Sequence, residues 1–259
     1  MKTIFLATAV LALAAGVACA QAPTTPPAGK RSLPPIPGLG PAPVLPPNAT
    51  ASQRADYQRQ VTEHIRQRWN YLLTDSLART RVFNTAPNAL LVETVRSLPP
   101  GTALDADMGE GRNAIYLAQQ GWRVTGVDIA EKALAFGQAR AQTLGVPLTT
   151  EVHDMATYDW GTNKWDLIVL SYAGGRDYGE RVFKALKPGG LVVLEAFHMD
   201  ATSRLHVVDN DYRVFFKSNE LPTLYKGAGL NIVRYEEPLG QADFAKEQLR
   251  LVKLVAQKP

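Results

Sequence analysis

Cysteine is almost absent from this chain, whose 259 residues include one cysteine, Cys19, and four histidines. A single thiol cannot form an intramolecular disulfide, so the fold cannot rely on disulfide bonds. His153, His198 and His206 lack the spacing of metal ligands, and no further cysteine is present to complete a set. We therefore expect no metal site.

A strong charge of one sign is also absent. Lys and Arg together number 28 against 24 Asp and Glu, a formal net charge of +4, and no dense basic run occurs. Proteins that bind nucleic acids have clustered basic residues, so we expect no nucleic-acid partner. No Ser-His-Asp pattern or glycine-flanked nucleophilic serine is present. The 46% of hydrophobic residues is enough for one sizeable core.

Residues 1–20 have the pattern of a bacterial signal peptide. Lys2 is the only charge, the run over residues 4–17 is apolar, and Ala18-Cys19-Ala20 fits a signal-peptidase site. The apolar run is short for a membrane span. We expect an exported protein, periplasmic or secreted, without stable membrane insertion after cleavage. A lipoprotein attached through Cys19 and a retained anchor stay open as alternatives.

Two segments precede the main domain. Residues 21–50 are rich in proline and predict an extended linker, with a docking peptide as the alternative. Residues 51–100 predict a helical extension of a domain spanning residues 51–259. Its first helix is capped by Ser52 and carries an apolar stripe that includes Trp69, and a second helix covers residues 87–98.

From residue 102 onward, apolar runs alternate with helical stretches. The predicted strands are residues 102–106, 123–127, 148–152, 166–170 and 191–197, and the predicted helices are residues 112–120, 130–144 and 179–186. This alternation predicts an α/β fold with a doubly wound, mostly parallel sheet. Two last strands, residues 231–237 and 248–256, are joined by a loop and should pair antiparallel, making seven strands in all.

A glycine-containing turn follows the first predicted strand. Gly109 and Gly111 stand between that strand and the next helix, where glycine lets the backbone approach a ligand closely. The helix start offers free N–H groups and a partial positive charge. The pattern Gly-x-Gly-x-x-Ala is common to many nucleotide-binding folds and also to simple turns.

Acidic residues at the next two strand ends strengthen the case for a ligand site. Asp128 ends the second strand, where a carboxylate can accept hydrogen bonds from two ribose hydroxyls. Asp154 follows the third strand, where a carboxylate suits the exocyclic amine of adenine. The alternatives are a helix N-cap for Asp128 and a solvated turn residue for Asp154. Ligands of open α/β sheets bind at this edge.

These motifs together resemble class I S-adenosylmethionine (SAM)-dependent methyltransferases, in particular the small-molecule group with tellurite- and thiopurine-type enzymes. The first motif runs from Leu104-Asp105 to Gly111-Arg112-Asn113-Ala114, and the second is Gly126-Val127-Asp128. Asp154-Met155, the run over residues 165–169 and the turn over residues 186–191 also match, as does the C-terminal strand pair. The resemblance covers most of the chain after about residue 84.

The resemblance implies SAM as the cofactor and methyl transfer to a small-molecule acceptor. The expected cofactor-binding residues are Asp105, Asp107, Gly109, Gly111, Arg112, Asn113, Asp128, Ile129, Asp154, Met155 and Ser171. One of them departs from the family pattern, because Asp107 stands where glycine is usual. Backbone strain there costs about 1–2 kcal/mol, and the carboxylate either binds the ligand's amino group or repels its carboxylate.

The acceptor side carries weaker signals, because a positioned nucleophile can react without a dedicated base. The catalytic candidates are Tyr172 and His198, and Ser171, Glu195 and Phe197 are further pocket candidates. Residues 199–216, or Trp69 or Phe83, are candidates for a cover. Two rival functions stay open: a methyltransferase-fold protein that binds a ligand without catalysis, and an NAD(P)-dependent oxidoreductase. The sequence does not indicate the oligomeric state.

Overall fold

The computed structural model describes residues 36–205, 213–243 and 246–259. The predicted signal peptide, the first half of the proline-rich linker and His206 lie outside these residues. Within them, no helix is both long enough and apolar enough to cross a membrane.

Three helices precede the sheet. They are α1 (Ala51–Thr74), α2 (Ser76–Val82) and α3 (Ala89–Val95). The predicted cap of α1 is wrong: Thr50 is the N-cap, and Ser52 lies inside the helix. Thr50 accepts the amide of Gln53, whose side chain accepts the amide of Thr50 in return, and a reciprocal pair satisfies two free donors. Helix α3 is shorter than predicted, because Asn88 caps it and leaves Pro87 outside.

The central sheet has the predicted doubly wound topology. Its strands are β1 (Thr102–Ala106), β2 (Arg123–Asp128), β3 (Thr149–Val152), β4 (Trp165–Ser171), β5 (Leu186–His198), β6 (Phe215–Phe216), β7 (Asn231–Glu236), β8 (Leu239–Gln241) and β9 (Gln248–Gln257). Seven of them form the order β3-β2-β1-β4-β5-β9-β7. Strands β1 to β5 pair in parallel. Their carboxyl ends therefore meet at one edge of the sheet.

The end of the chain reverses direction, as predicted. Strand β9 lies antiparallel between β5 and β7. The segment between β7 and β9 is not only a loop, because β8 lies in it and pairs with β9. Helix α7 (Glu220–Gly227) precedes β7 and was not predicted.

Helices cover both faces of the sheet and bury its alternating side chains. The remaining helices are α4 (Arg112–Gln119), α5 (Glu131–Thr143) and α6 (Gly179–Ala185). Ala103, Leu167 and Val193 belong to a core shared with α3, α4 and α5. Leu104 and Ile168 belong to the opposite core, shared with α6 and α7. Burial of each leucine or isoleucine side chain stabilises the fold by about 1.5–3 kcal/mol. The strands therefore form a stable support for the loops at their ends.

Candidate cofactor site

The loop between β1 and α4 has an unusual backbone. Asp107, Gly109 and Gly111 all have positive φ angles, of 53°, 56° and 77°. Gly111 is the N-cap of α4 and provides no side chain to satisfy the first amides of the helix. Helix amides without intrahelical partners, with the helix dipole behind them, favour a negatively charged group. The predicted glycine turn is therefore present, in a conformation suited to a ligand.

Two other glycines let this loop pack closely. A Cβ atom on Gly126 of β2 would lie 1.8 Å from the sulfur of Met108, and one on Gly137 of α5 would lie 2.8 Å from the carbonyl oxygen of Glu110. Real Cβ atoms do not approach so closely, so side chains at either position would push the loop outward. The loop conformation depends on α5 as well as on its own sequence.

Asp128 bonds to backbone amides of two loops, and the alternative that it is the N-cap of α5 is wrong, because Ala130 is the N-cap. Its Oδ2 accepts the Gly109 amide at 2.8 Å and its Oδ1 accepts the Ala130 amide at 2.8 Å. The carboxylate therefore ties the glycine loop to the turn that leads into α5. The Ile129 amide also acts on the carboxylate. A carboxylate has about four acceptor positions, so at least one stays open for the predicted contact to ribose. Ile129 lies beside it and is half-buried.

Asp105 is buried at the end of β1, with 2% of its surface exposed. The Ala114 amide of α4 donates to its carboxyl group, and its Oδ2 atom is buried without a hydrogen-bond partner. Burial raises the pKa of Asp105 to about 7, although Arg112 and the Ala114 amide act in the opposite direction. This residue supports the first turn of α4 from beneath.

Carboxyl groups from three neighbouring strand ends act on one another at this edge. Burial and the carboxyl of Asp128 hold the pKa of Asp107 well above its ordinary range, and Asp154 and Asp105 add to this, while Arg213 lowers it. Asp154 caps its own turn, since its Oδ1 accepts the Ala156 amide at 2.8 Å. Met155, next to it, is buried in the core.

The sequence did not identify two residues that act on this cluster. Burial and the carboxyl of Asp107 raise the pKa of Tyr178 to about 12, against the effect of Arg213. Arg213 also lies beside Gly174, where an added Cβ would come within 3.9 Å of its own Cβ. Neither residue belongs to a motif, so no sequence signal identified them.

Arg112 and Asn113 anchor α4 to its surroundings. The guanidinium of Arg112 donates to Ser171 Oγ at 2.9 Å and pairs with Asp243 at 2.9 Å. Asn113 is buried and its Oδ1 accepts the Asn88 amide at 2.9 Å. These bonds are made within the protein, so Arg112 and Asn113 position the β1–α4 loop. Their predicted contacts with a ligand stay a prediction.

Asp243, from the segment between β8 and β9, joins four parts of the chain. Its carboxylate accepts from Asn84 at 3.0 Å and from Asn88 at 2.8 Å, besides pairing with Arg112. Its amide donates to the hydroxyl of Tyr172 at 3.2 Å. We call these five residues the Asp243 clasp. It closes the edge of the sheet beside the ends of β4 and β5.

Tyr172 lies in the clasp with an unusual backbone. Its φ angle is 57°, and its hydroxyl donates to Glu195 at 2.8 Å. Glu195 is buried and pairs with Lys253 at 3.0 Å. The Tyr172 ring packs at 4.9 Å from that of Phe197. Burial and the carboxylate of Glu195 hold the pKa of Tyr172 well above its ordinary range, so the hydroxyl is a donor and not a base at neutral pH.

His198 is engaged in structural bonds. It is 5% exposed, its Nδ1 accepts the Asp200 amide at 3.2 Å, and its Nε2 lies 3.0 Å from Ser218 Oγ. It thereby caps the 3₁₀ helix Met199–Ser203. Both ring nitrogens of this predicted catalytic candidate therefore lie within hydrogen-bonding distance of protein groups.

Helices α1 and α2 cover the glycine loop. Leu73 lies where it would contact a Cβ atom on Gly109 at 3.3 Å. Trp69 and Phe83 pack on the same cluster, with ring centroids 6.2 Å apart. Both predicted covering residues therefore lie next to the loop. The predicted lid over residues 199–216 is described only in part, as the 3₁₀ helix and β6.

The sheet order and the reversed last strands define a Rossmann-like methyltransferase fold. Residues 103–190 match a family model described as a methyltransferase domain. An uncharacterized methyltransferase of Synechocystis sp. is 32% identical over 139 residues, which are 50% of this chain and 63% of that protein. Residues 103–190 are therefore similar to methyltransferase domains, in agreement with the resemblance found in the sequence.

Solved structures agree on the fold. The 1,6-didemethyltoxoflavin-N1-methyltransferase of Burkholderia thailandensis, with bound 1,6-didemethyltoxoflavin and S-adenosylhomocysteine (SAH), has a TM-score of 0.54 at 22% identity, covering 83% of this chain and 93% of that one. TehB from Haemophilus influenzae has a TM-score of 0.56 at 20% identity, covering 73% of this chain and 66% of that one. The curated relatives are matched over 44% to 63% of their own length.

Proposed function

We propose that this protein is a methyltransferase that transfers a methyl group from SAM to a small-molecule acceptor. One observation carries the proposal: carboxyl groups at the ends of three adjacent parallel strands lie beside a left-handed loop and the start of α4. These residues come from β1, β2 and the turn after β3. This is the edge at which open α/β sheets bind ligands.

The residues present fit the parts of SAM. Asp128 keeps at least one acceptor position for a ribose hydroxyl, and Asp154, which accepts the Ala156 amide, keeps lone pairs for the adenine amine. The amides at the start of α4 suit the methionine carboxylate, and the carboxyl cluster around Asp107 suits the ammonium and sulfonium charges. A cation at this place would relieve the mutual repulsion that raises the pKa of Asp107 and Asp105.

SAM supplies an electrophilic methyl group, and the protein's residues hold the partners in line. The Asp243 clasp fixes Tyr172 and Ser171 at the ends of β4 and β5, next to the loop. Held there, an acceptor nucleophile gains from proximity and orientation. Tyr172 donates its one hydroxyl proton to Glu195, and its raised pKa excludes it as a base, so it fixes the wall of the pocket and does not take the acceptor's proton.

The proposal includes export from a bacterial cytoplasm, supported by the sequence pattern of residues 1–20. A second candidate is a binding protein that has lost catalysis. It is favoured by Asp107, an aspartate in the left-handed conformation at a glycine position.

Calorimetric titration with SAM, combined with transfer of radiolabelled methyl groups to a panel of thiols, amines and metalloid anions, tests this function. We expect micromolar binding that Asp128→Asn weakens by at least tenfold. The control is Asp166→Asn, since Asp166 lies at the start of β4, at the opposite edge, and bonds to Thr102 and Lys187. Equal loss of SAM affinity in both variants would contradict the site. Binding without transfer to any acceptor would favour the second candidate.

A further inference from the structure

Asp107 is placed at a position where a side chain is unfavourable. Its φ angle of 53° lies in the left-handed region, which Asn and Asp tolerate better than most residues but less well than glycine. Gly109 and Gly111, which follow in the same loop, lie in the same region. The loop geometry itself does not require an aspartate, because glycine would take this conformation without strain.

The surroundings of Asp107 are predominantly acidic. Ala106, just before Asp107, pairs with Val127, just before Asp128, and Asp128 pairs in turn with Val152, two residues before Asp154. From these neighbouring strand ends the carboxyl groups of Asp128, Asp154 and Asp105 act on Asp107. Tyr178 faces it from the segment after β4. Arg213 is the cation among the groups that act on it most strongly. A carboxyl group here therefore adds a fourth acidic group to a site that already has three, and a bound cation would favour its ionised form.

We propose that Asp107 is a specificity-determining residue that makes the site bind the positively charged cofactor SAM in preference to its neutral product SAH. The inference rests on the proposed function, because it assigns this loop to the methionine part of the cofactor. SAM carries a sulfonium, an ammonium and a carboxylate, a net charge of +1. SAH lacks the sulfonium charge and has a net charge of zero.

The expected effect is a change in a ratio of affinities. Two unit charges a few ångströms apart in a partly buried site attract one another enough to change an equilibrium by roughly tenfold or more. Removing the charge of Asp107 should therefore lower the preference for SAM over SAH by roughly tenfold. Release of the demethylated product would follow from the loss of the sulfonium charge during the reaction.

Calorimetric titration of the full chain with SAM and with SAH at pH 8 tests the inference. Asp107→Asn removes the charge and keeps a residue that tolerates the left-handed region. Asp107→Gly removes the charge and the strain together. We expect both variants to show the same reduced ratio of SAM to SAH affinity, with Asp107→Gly binding both ligands more tightly than Asp107→Asn. Asp166→Asn, with the same change in net charge at the opposite edge, should keep the original ratio.

An unchanged ratio in Asp107→Asn would overturn this inference and leave the proposed function standing. A ratio that changes in Asp107→Gly alone would also overturn it, because strain and not charge would then be the cause. Binding of neither ligand by the unmodified chain or by any variant would overturn the proposed function and the inference together.

Discussion

Replacement of Asp105 by asparagine should remove a large part of the pH dependence of stability. Burial raises the pKa of Asp105 from 3.8 to about 7, so the folded protein binds a proton at this site that the unfolded chain has released above about pH 4. Stability from this group is therefore greatest at low pH and is lost as the pH rises toward 7. Each pH unit in that window costs about 1.4 kcal/mol.

Between pH 5 and pH 7 the unmodified protein should lose about 2 kcal/mol through Asp105 alone. Asp105→Asn keeps the acceptor for the Ala114 amide and places an uncharged amide where Oδ2 is buried without a partner. That unsatisfied donor costs about 1–3 kcal/mol at every pH. The variant should therefore be about as stable as the unmodified protein at pH 5 and the more stable of the two at pH 8.

Urea unfolding followed by circular dichroism at pH 5, 6, 7 and 8 measures the effect. The difference in the free energy of unfolding between the two proteins is the relevant quantity, because contributions from other groups cancel in it. The ion-paired carboxylate of Glu237, for example, has its pKa lowered to about 2. A difference that stays constant from pH 5 to pH 8 would refute the assignment of Asp105 as a buried, uncompensated carboxyl group.

Two further substitutions test how the loop and the clasp are held. Gly137→Ala places a Cβ atom 2.8 Å from a backbone carbonyl of the glycine loop. Calorimetry should therefore show weaker SAM binding, and urea unfolding should show a loss of about 1–3 kcal/mol in the free energy of unfolding. Gly227→Ala is the control, because its Cβ atom meets open space; it should leave SAM affinity unchanged, and a loss of affinity there would show that any glycine-to-alanine change in a helix has this effect. Asp243→Ala leaves the guanidinium of Arg112 without its buried partner, and urea unfolding should show a loss of about 3–5 kcal/mol. Glu93→Ala breaks an exposed ion pair and should leave stability nearly unchanged, so equal losses in the two variants would contradict a special role for the clasp.

The features of the fold that depend on local sequence were predicted well. Apolar runs of strand length and the glycines Gly109 and Gly111 determine the backbone conformation locally. The strands and the glycine loop are found where expected. The capping error at Ser52 was avoidable, because Gln53 follows Thr50 at the spacing of a reciprocal cap. Helix α7 was not predicted.

The features that depend on distant contacts were not predictable. Asp243 meets Asn88 across 155 positions of the chain, and nothing local to either residue signals the pair. The roles of Arg112 and Asn113 in anchoring α4 likewise depend on segments that fold against them. The backbone strain at Asp107 was expected, because glycine is usual at this position. The electrostatic interactions of Asp107 with Tyr178 and Arg213 became visible only in the structure.

Calorimetric titration of the unmodified full chain with SAM tests the central claim most directly. The account predicts a single site with micromolar affinity that is weakened at least tenfold in Asp128→Asn and retained in Asp166→Asn. Absence of any heat of binding from a folded protein, up to millimolar SAM, would contradict the assignment of the β1–α4 loop as a working cofactor site.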